Sequence, residues 1–543
     1  MLFKSRNYVG KYAGNHCVVL ERTKKYVGKY CAVPEKQTGR IGPVLSSVLL
    51  LICLLCFFAA RWYVSTYGQT GFDSILYTLF GGLGGAESGL IRAFILEGVV
   101  SAVVCTVLVS FLLFFCPKKT IRIRQITVYP FRRWVSGLLA AVICLGTLIH
   151  AAVSTGFPEY IYYLFHPTAI YEECYVNPDS VEITFPEKKR NLIYIFLESM
   201  ETAYFGKEQG GAMDVNLVPE LYELAEHNIN FSQNDSVGGF RSVNGTTWTI
   251  GAMVGHTSGV PLKTPDSVED WQNGYGKEGV FLPGLTCLTD ILHENGYYQT
   301  LMVGSVASFG GRETYYETHG ADYIYELTTA RWDGIVPSDY FVWWGMEDKY
   351  LFEYAKQELA EISQMDQPFA FTMLTVDTHH IGGYKCEYCQ DTHKEQYSNV
   401  MSCSSRQVAA FVEWIRQQDF YDNTTVIICG DHPSMDRGYF DRNVPSNYTR
   451  RVYNCFINSA VDTAYSKNRE FTSLDLFPTT LAAMGCTIEG ERLGLGTNLF
   501  SGVPTFAESM GFARFDSQLA GRSEYYSRVF RKETGASETA PTQ

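Results

Sequence analysis

TTVIICGDHPSM, residues 424–435, and LIYIFLESM, residues 192–200, decide the fold between them. Each begins as an unbroken apolar run of strand length and ends on an acid, Asp431 in one and Glu198 in the other. Thr300–Val303, Phe369–Val376 and Tyr453–Ile457 are runs of the same kind. Helical patterns lie between them. In Ser405–Gln418 the residues Val408, Phe411, Val412 and Ile415 recur at helical spacing, and Leu285–Asn295 is followed by Gly296, a suitable helix C-cap. Apolar strands alternating with helices predict an α/β fold with a mainly parallel central sheet flanked by helices. Sheets of that type place ligands beyond the carboxyl ends of their strands.

The acids fall at such ends. Glu198 after one strand and Asp431–His432 after another supply oxygen and nitrogen donors for a divalent ion. Singly, each has a plainer reading: an acid after a strand caps a helix, and Asp-His is a common dipeptide. Their joint placement carries the expectation. In NGTTWTIGAM (244–253), Gly245 and Thr246 open an apolar segment rich in small residues. A hydroxyl at a helix N-terminus beside a metal can act as a nucleophile, and the plainer alternative is a Thr N-cap. Asp377, His379 and His380 follow the apolar run Phe369–Val376, where an imidazole can bind phosphate or protonate a leaving group. Arg312, in a Gly-flanked loop, suits phosphate recognition.

Outward from this region, composition changes. The chain has 543 residues, 46% of them apolar and 19% charged, which excludes general disorder. Its net charge is −13, yet residues 1–155 hold 17 Lys and Arg against 5 Asp and Glu. An acidic bulk with a basic front argues against a nucleic-acid partner. Three apolar runs, about 42–60, 94–116 and 134–154, are long enough to span a bilayer. The segment 72–85 is apolar but short and Gly-rich, and reads as interfacial or re-entrant. Nine Lys and Arg in the first 40 residues and six in 117–133, against two in 61–93, place the tail and the second loop inside. Three crossings then put the remainder outside. A cleaved signal peptide is the alternative for the first run. The expected organisation is a basic cytoplasmic tail (1–41), a membrane domain (42–155), a linker (156–187), an extracytoplasmic catalytic domain (188–505) and a C-terminal extension (506–543) with a disordered end. YVGKY occurs at Tyr8 and again at Tyr26, with no function to attach to it.

The ordered strings GTTWTIGAMVGHTSGVPL, TVDTHHIGGY, SNVMSCSSRQVAAFV, ICGDHPSM and LDLFPTTLAAMGCTIEGERLGLGTNLF resemble the alkaline phosphatase/sulfatase superfamily. They are most similar to its membrane-anchored phosphoglycerol transferases, among them lipoteichoic acid synthases and, closest, the enzymes that decorate periplasmic glucans. The resemblance covers about residues 70–505. It implies that Glu198, Asp431 and His432 are metal ligands and that Thr246 is nucleophile and further ligand, with Thr247 as the alternative. It implies that Arg312, His379 and His380 hold the donor. The implied cofactor is one divalent ion, usually manganese, with magnesium or zinc as alternatives. The implied partners are a membrane phospholipid donor and an envelope glycan, glycolipid or polymer acceptor. The implied reaction moves phosphoglycerol from phosphatidylglycerol through a covalent phospho-Thr. Three positions depart from the pattern. Ile381 replaces a Pro, Gly310 an aromatic, and Ser258 a Cys that would face Cys287. The resemblance also implies a Cys389–Cys403 disulfide in preference to Cys386–Cys403, the alternatives being free thiols at Cys386, Cys389 and Cys403 or a metal held by them. Two rival transferase readings differ in donor: a phosphoethanolamine transferase fits the same fold, whereas a true sulfatase lacks its Cys/Ser-x-Pro-x-Arg string here. An inactive membrane receptor or scaffold is the rival from another class.

Overall fold

Seven strands form the central sheet: β1 (Asn191–Leu197), β2 (Gly239–Phe240), β3 (Tyr298–Val303), β4 (Tyr323–Tyr325), β5 (Phe369–Leu374), β6 (Thr424–Gly430) and β7 (Val452–Ile457). Their order across the sheet is β2-β7-β6-β1-β5-β3-β4. The five strands from β6 to β4 run parallel, and β7 and β2 close one edge through antiparallel pairs. The structure is a computed structural model that describes residues 41–531 apart from 69–70, 82–87, 116–120, 124–125, 129–132 and 265–278.

The central strand β1 shows why the sheet is buried on both faces. Leu192, Tyr194 and Phe196 point into one core and Ile193, Ile195 and Leu197 into the other, all at most 1% exposed. Side chains of a strand alternate sides, so only a continuously apolar run can serve two cores. Each such aliphatic or aromatic side chain contributes roughly 1.5–3 kcal/mol by burial.

The helices before the sheet include α1 (Ile41–Tyr67), α2 (Phe72–Gly81), a helical run α3 (Ile91–Phe114) and α4 (Arg133–Ser154). Among the described residues, α1, α3 and α4 are long and apolar enough to cross a membrane. At 1.5 Å per residue the 27 residues of α1 reach about 40 Å, more than the ~30 Å of a hydrocarbon core. The helix therefore outruns the expected span, which ended near Ala60, and carries Tyr63 and Tyr67 onward to the sheet domain. The segment expected to be interfacial forms α2, and Tyr77 within it donates its hydroxyl to Gly310 O at 2.6 Å. The basic tail with its YVGKY repeat lies outside the described residues, as does much of the basic 117–133 loop.

Three further helices matter to function: α5 (Thr249–Ser258), α6 (Arg312–Thr318) and α7 (Gln396–Arg416). The last begins nine residues before the apolar periodicity did, because its first two turns bury small polar residues such as Ser398, Asn399 and Ser402. The C-terminal extension is part of the core as far as it is described. Phe515, Leu519, Tyr526 and Phe530 are buried in it, and its final residues, 532–543, lie outside the described residues.

The expected Cys389–Cys403 disulfide is not formed. All three thiols are free, and Cys386 lies closest to both others, its Sγ 3.7 Å from each. The three sulfurs form a triangle, and Cys386, the partner passed over for Cys403, is one of its corners. Cys287 and Ser258, expected to lack a bridge, are each satisfied otherwise. Tyr315 donates to Cys287 Sγ at 3.0 Å, and Ser258 donates to Val254 O at 2.7 Å.

Candidate active site

The carboxyl ends of β1, β3, β5 and β6 meet in one cleft. Glu198 leaves β1 and is held by its own backbone, whose N–H donates to Thr375 Oγ1 at 3.0 Å beyond β5. Asp431 leaves β6, and its Oδ1 accepts the backbone N–H groups of Ser199 at 2.8 Å and His432 at 2.7 Å. Two strand ends are thereby tied together through one carboxylate. His432 Nδ1 faces Pro433 O at 3.0 Å. A carbonyl only accepts, so Nδ1 carries the proton and Nε2 presents a lone pair. That lone pair lies 3.3 Å from Asp431 Oδ2 and 3.7 Å from Glu198 Oε1.

These donors fit a divalent cation. One ligand atom from each of Glu198, Asp431 and His432 lies within 4.8 Å of the others, and all three side chains are buried. Asp431 Oδ2 is buried with no hydrogen-bond partner. Burial, and then the neighbouring Asp431, push the Glu198 carboxyl well above the usual carboxylate range. Two buried carboxylates facing one imidazole lone pair form a site whose repulsion a bound cation relieves.

The threonine expected at this site is a different one. Thr246 is fully buried and its hydroxyl is fully engaged. It donates to Val243 O, accepts from Val243 N and accepts from Ser473 Oγ, each at 2.9 Å. It closes a turn, with Gly245 at φ 85°, instead of opening a helix. Helix α5 starts three residues later, after Trp248 in extended conformation. Thr249, its first residue, holds Oγ1 at 3.4 Å from Glu198 Oε2 and 3.4 Å from His432 Nε2. Thr247, the alternative, lines a separate cleft with Pro433 and Arg450. A start signal read one turn too early caused the miss; the extended Trp248 before Thr249 marks the true helix entry.

Arg312 is at the cleft as expected. It opens α6 behind two left-handed glycines, Gly310 and Gly311 at φ 69° and 79°. Its Nε donates to Phe309 O at 3.0 Å and its Nη2 to Val306 O at 2.7 Å. Those bonds fix the guanidinium and use two of its five N–H groups. Burial lowers its pKa to about 10, which leaves it charged at neutral pH.

His379 and His380 line the same cleft. The His379 ring packs 4.0 Å from Trp344, and Trp343 Nε1 donates to His379 O at 3.2 Å. Burial, and then His380, push the His379 pKa well below its usual value, so the ring is neutral. Neither ring nitrogen of the buried His380 has a hydrogen-bond partner. The sequence reading missed the opposite wall, formed by Tyr63, Tyr67, Ser74 and Tyr77 from α1 and α2 together with Trp248. The Tyr67 ring meets His380 edge-on at 5.2 Å. Its signal was the run RWYVSTY (61–67), in which aromatics follow the apolar span.

A parallel-centred sheet with carboxylates, an imidazole and a helix-opening hydroxyl at its strand ends defines an alkaline phosphatase-like fold. The sulfatase family model matches residues 190–486, more than half of the chain, and the chain belongs to that family. It is 29% identical over 350 residues to phosphoglycerol transferase I of Xanthomonas campestris pv. campestris, covering 63% of this chain and 47% of that protein. It is 27% identical over 423 residues to phosphoglycerol transferase I of Escherichia fergusonii, covering 74% of this chain and 50% of that one. The chain thus spans about half the length of these curated relatives. A solved structure of a protein in the alkaline phosphatase superfamily from Vibrio parahaemolyticus aligns with TM-score 0.47 and 20% identity over 63% of this chain and 78% of that one.

Proposed function

We propose that this protein is a membrane-bound, metal-dependent transferase that moves phosphoglycerol from phosphatidylglycerol to an envelope glycan, glycolipid or polymer, with Thr249 as the nucleophile. The observation that carries this reading is the Thr249 hydroxyl, poised over Glu198 and His432 in a cleft whose far wall comes from the apolar helix α1. The matched relatives named phosphoglycerol transferase I support the choice of headgroup.

Glu198, Asp431 and His432 would hold the ion, with Thr249 Oγ1 as a fourth donor. When bound, the ion supplies Lewis-acid polarisation and lowers the pKa of that hydroxyl. Thr249 Oγ1 attacks the headgroup phosphorus, and its proton has Glu198 Oε2 as acceptor at 3.4 Å. The bond from phosphorus to the diacylglycerol oxygen breaks. The departing oxygen takes a proton from solvent through the imidazole of His380, which burial keeps neutral and whose ring nitrogens have no internal partner, so that one can donate while the other accepts. Arg312 offers its three uncommitted N–H groups to the phosphoryl oxygens. Phosphoglyceryl-Thr249 remains until an acceptor hydroxyl attacks phosphorus and Thr249 leaves. The tyrosines of α1 and α2 keep the cleft beside the bilayer, on its extracytoplasmic side, where a lipid headgroup can enter.

The reading is tested with the full chain in vesicles of phosphatidylglycerol labelled in the headgroup glycerol. Diacylglycerol release, with label trapped on the Thr249 peptide, is expected. Transfer from phosphatidylethanolamine in its place would establish the phosphoethanolamine alternative, and neither release nor trapped label would leave the receptor reading.

A further inference from the structure

Cys386, Cys389 and Cys403 take no part in the transfer site. We propose that they form a second metal site, one that takes a thiophilic divalent cation, zinc. Cys386 Sγ is 3.7 Å from Cys389 Sγ and 3.7 Å from Cys403 Sγ, and all three sulfurs lie within 4.8 Å of one another. Thiolates bound to zinc at ~2.3 Å in a tetrahedron stand about 3.8 Å apart. Two of the three separations therefore match the spacing of corners around one ion, and the third, Cys389 to Cys403, is at most 4.8 Å.

The local chain builds this arrangement. Cys386 and Cys389 belong to one turn, closed by the Cys389 N–H donating to Cys386 O at 3.1 Å, which brings both sulfurs to one side. Cys403 comes from the middle of α7 and faces that turn. A disulfide would join two sulfurs and leave the third in contact, where its thiolate would exchange with the bond. A cation uses all three. Each thiol gives up its proton to solvent on binding, so one divalent ion with three thiolates carries a single net negative charge. The surroundings suit that charge. The Gln407 side-chain amide donates towards Cys403 Sγ at 3.6 Å. A cleft that reaches Cys403 is lined by Lys349, Lys356, Arg406 and Glu353, with Lys356 paired to Glu353 and Lys349 to Glu347 and Glu387, which leaves Arg406 as the cation not in one of these pairs. Water from this cleft can complete the fourth corner.

The site would have a structural effect near the chemistry. Tyr384 N–H donates to Asp377 O at 2.7 Å, so the turn holding Cys386 continues directly from the loop of His379 and His380. A bound ion would pin the far end of that loop to α7.

Cobalt tests the proposal. The full chain in detergent, purified anaerobically and titrated with Co2+, is expected to develop thiolate-to-cobalt charge-transfer absorption in the near ultraviolet that saturates and is lost in C386S or C403S. Glu198, Asp431 and His432 contain no sulfur and cannot produce that band, so the readout is independent of the transfer site. Zinc-loaded wild type is expected to hold one more zinc per chain than C386S or C403S. If those variants fail to fold, zinc protection of all three thiols from alkylation in the wild type provides the second measurement. A titration without the band, or a non-reduced peptide map of the native protein showing Cys386–Cys403 or Cys389–Cys403 linked, would overturn the proposal.

Discussion

Replacing Thr246 and Thr249 by alanine, one at a time, should separate stability from chemistry. Thr246→Ala removes a buried methyl, worth about 0.8 kcal/mol. It also strands the Val243 N–H, which donates to the lost hydroxyl at 2.9 Å in a fully buried position. An unsatisfied buried donor costs about 1–3 kcal/mol. Val243 O keeps the Thr246 N–H at 2.9 Å, and Ser473 can rotate its hydroxyl, so neither adds a full penalty. The sum is roughly 2–4 kcal/mol. It should appear as a fall in Tm of several degrees in detergent, while turnover per folded molecule stays near wild type. Thr249→Ala loses only two long contacts of 3.4 Å, so its Tm should move little. Turnover should fall on the order of 10⁴-fold or more, as when a covalent nucleophile is removed. The assay pairs thermal unfolding with headgroup transfer from phosphatidylglycerol vesicles. An unchanged Tm with lost turnover in Thr246→Ala, alongside active Thr249→Ala, would refute the assignment and restore Thr246 to the site.

Dialysis against a chelator should abolish transfer and manganese, magnesium or zinc should restore it; full activity in chelator would remove the metal from the reaction. Arg312→Ala should weaken donor use about 10- to 100-fold, the worth of a charged hydrogen bond to phosphate, and Arg312→Lys should fail to recover it because lysine lacks the planar fork. A wild-type rate in Arg312→Lys would exclude bidentate contact. Asp475 is buried and accepts the backbone N–H groups of Thr472 and Thr497 at 2.8 Å each; burial raises its pKa from 3.8 to about 6. A raised folded pKa means that the folded state holds the proton more tightly. Its contribution is full below pH ~3.8 and is lost as pH rises through ~6. Asp475→Asn, with no charge to bury, should therefore cost more at pH 4 than at pH 7.5, by on the order of 2–3 kcal/mol, and a pH-independent difference in unfolding free energy would contradict this.

Five of the seven strands were legible because they are buried on both faces and so read as unbroken apolar runs, whereas the short edge strands β2 and β4 left no such run. Glu198, Asp431 and His432 were legible for the same reason, since a polar residue at the end of such a run marks a strand end. Arg312, His379 and His380 stood on loops flanked by glycine or following a strand. Thr249 was not legible, because three threonines within four residues leave the helix start undecided until backbone conformation is known. The tyrosine wall was hidden for another reason. Tyr77 and Gly310 are 233 residues apart, and no periodicity links the end of a membrane helix to a distant loop. The thiol cluster shows a third limit. Spacing brought the cysteines near one another, but that their three sulfurs form a triangle could be seen only in three dimensions.

Because α1 is one unbroken helix from Ile41 to Tyr67, the proposed function makes it a strut of set length between the lipid and the chemistry. On the proposed reading such a strut would fix altitude, holding Thr249 at one height above the bilayer. Acceptors would then have to come down to that plane, so an acceptor tethered to the same leaflet would meet the reactive threonine more often than a soluble one at equal amount. A fragment beginning at the first sheet strand would lose this altitude together with the Tyr63, Tyr67 and Tyr77 wall. It would keep every metal ligand yet present an open trough where the intact chain has a cleft.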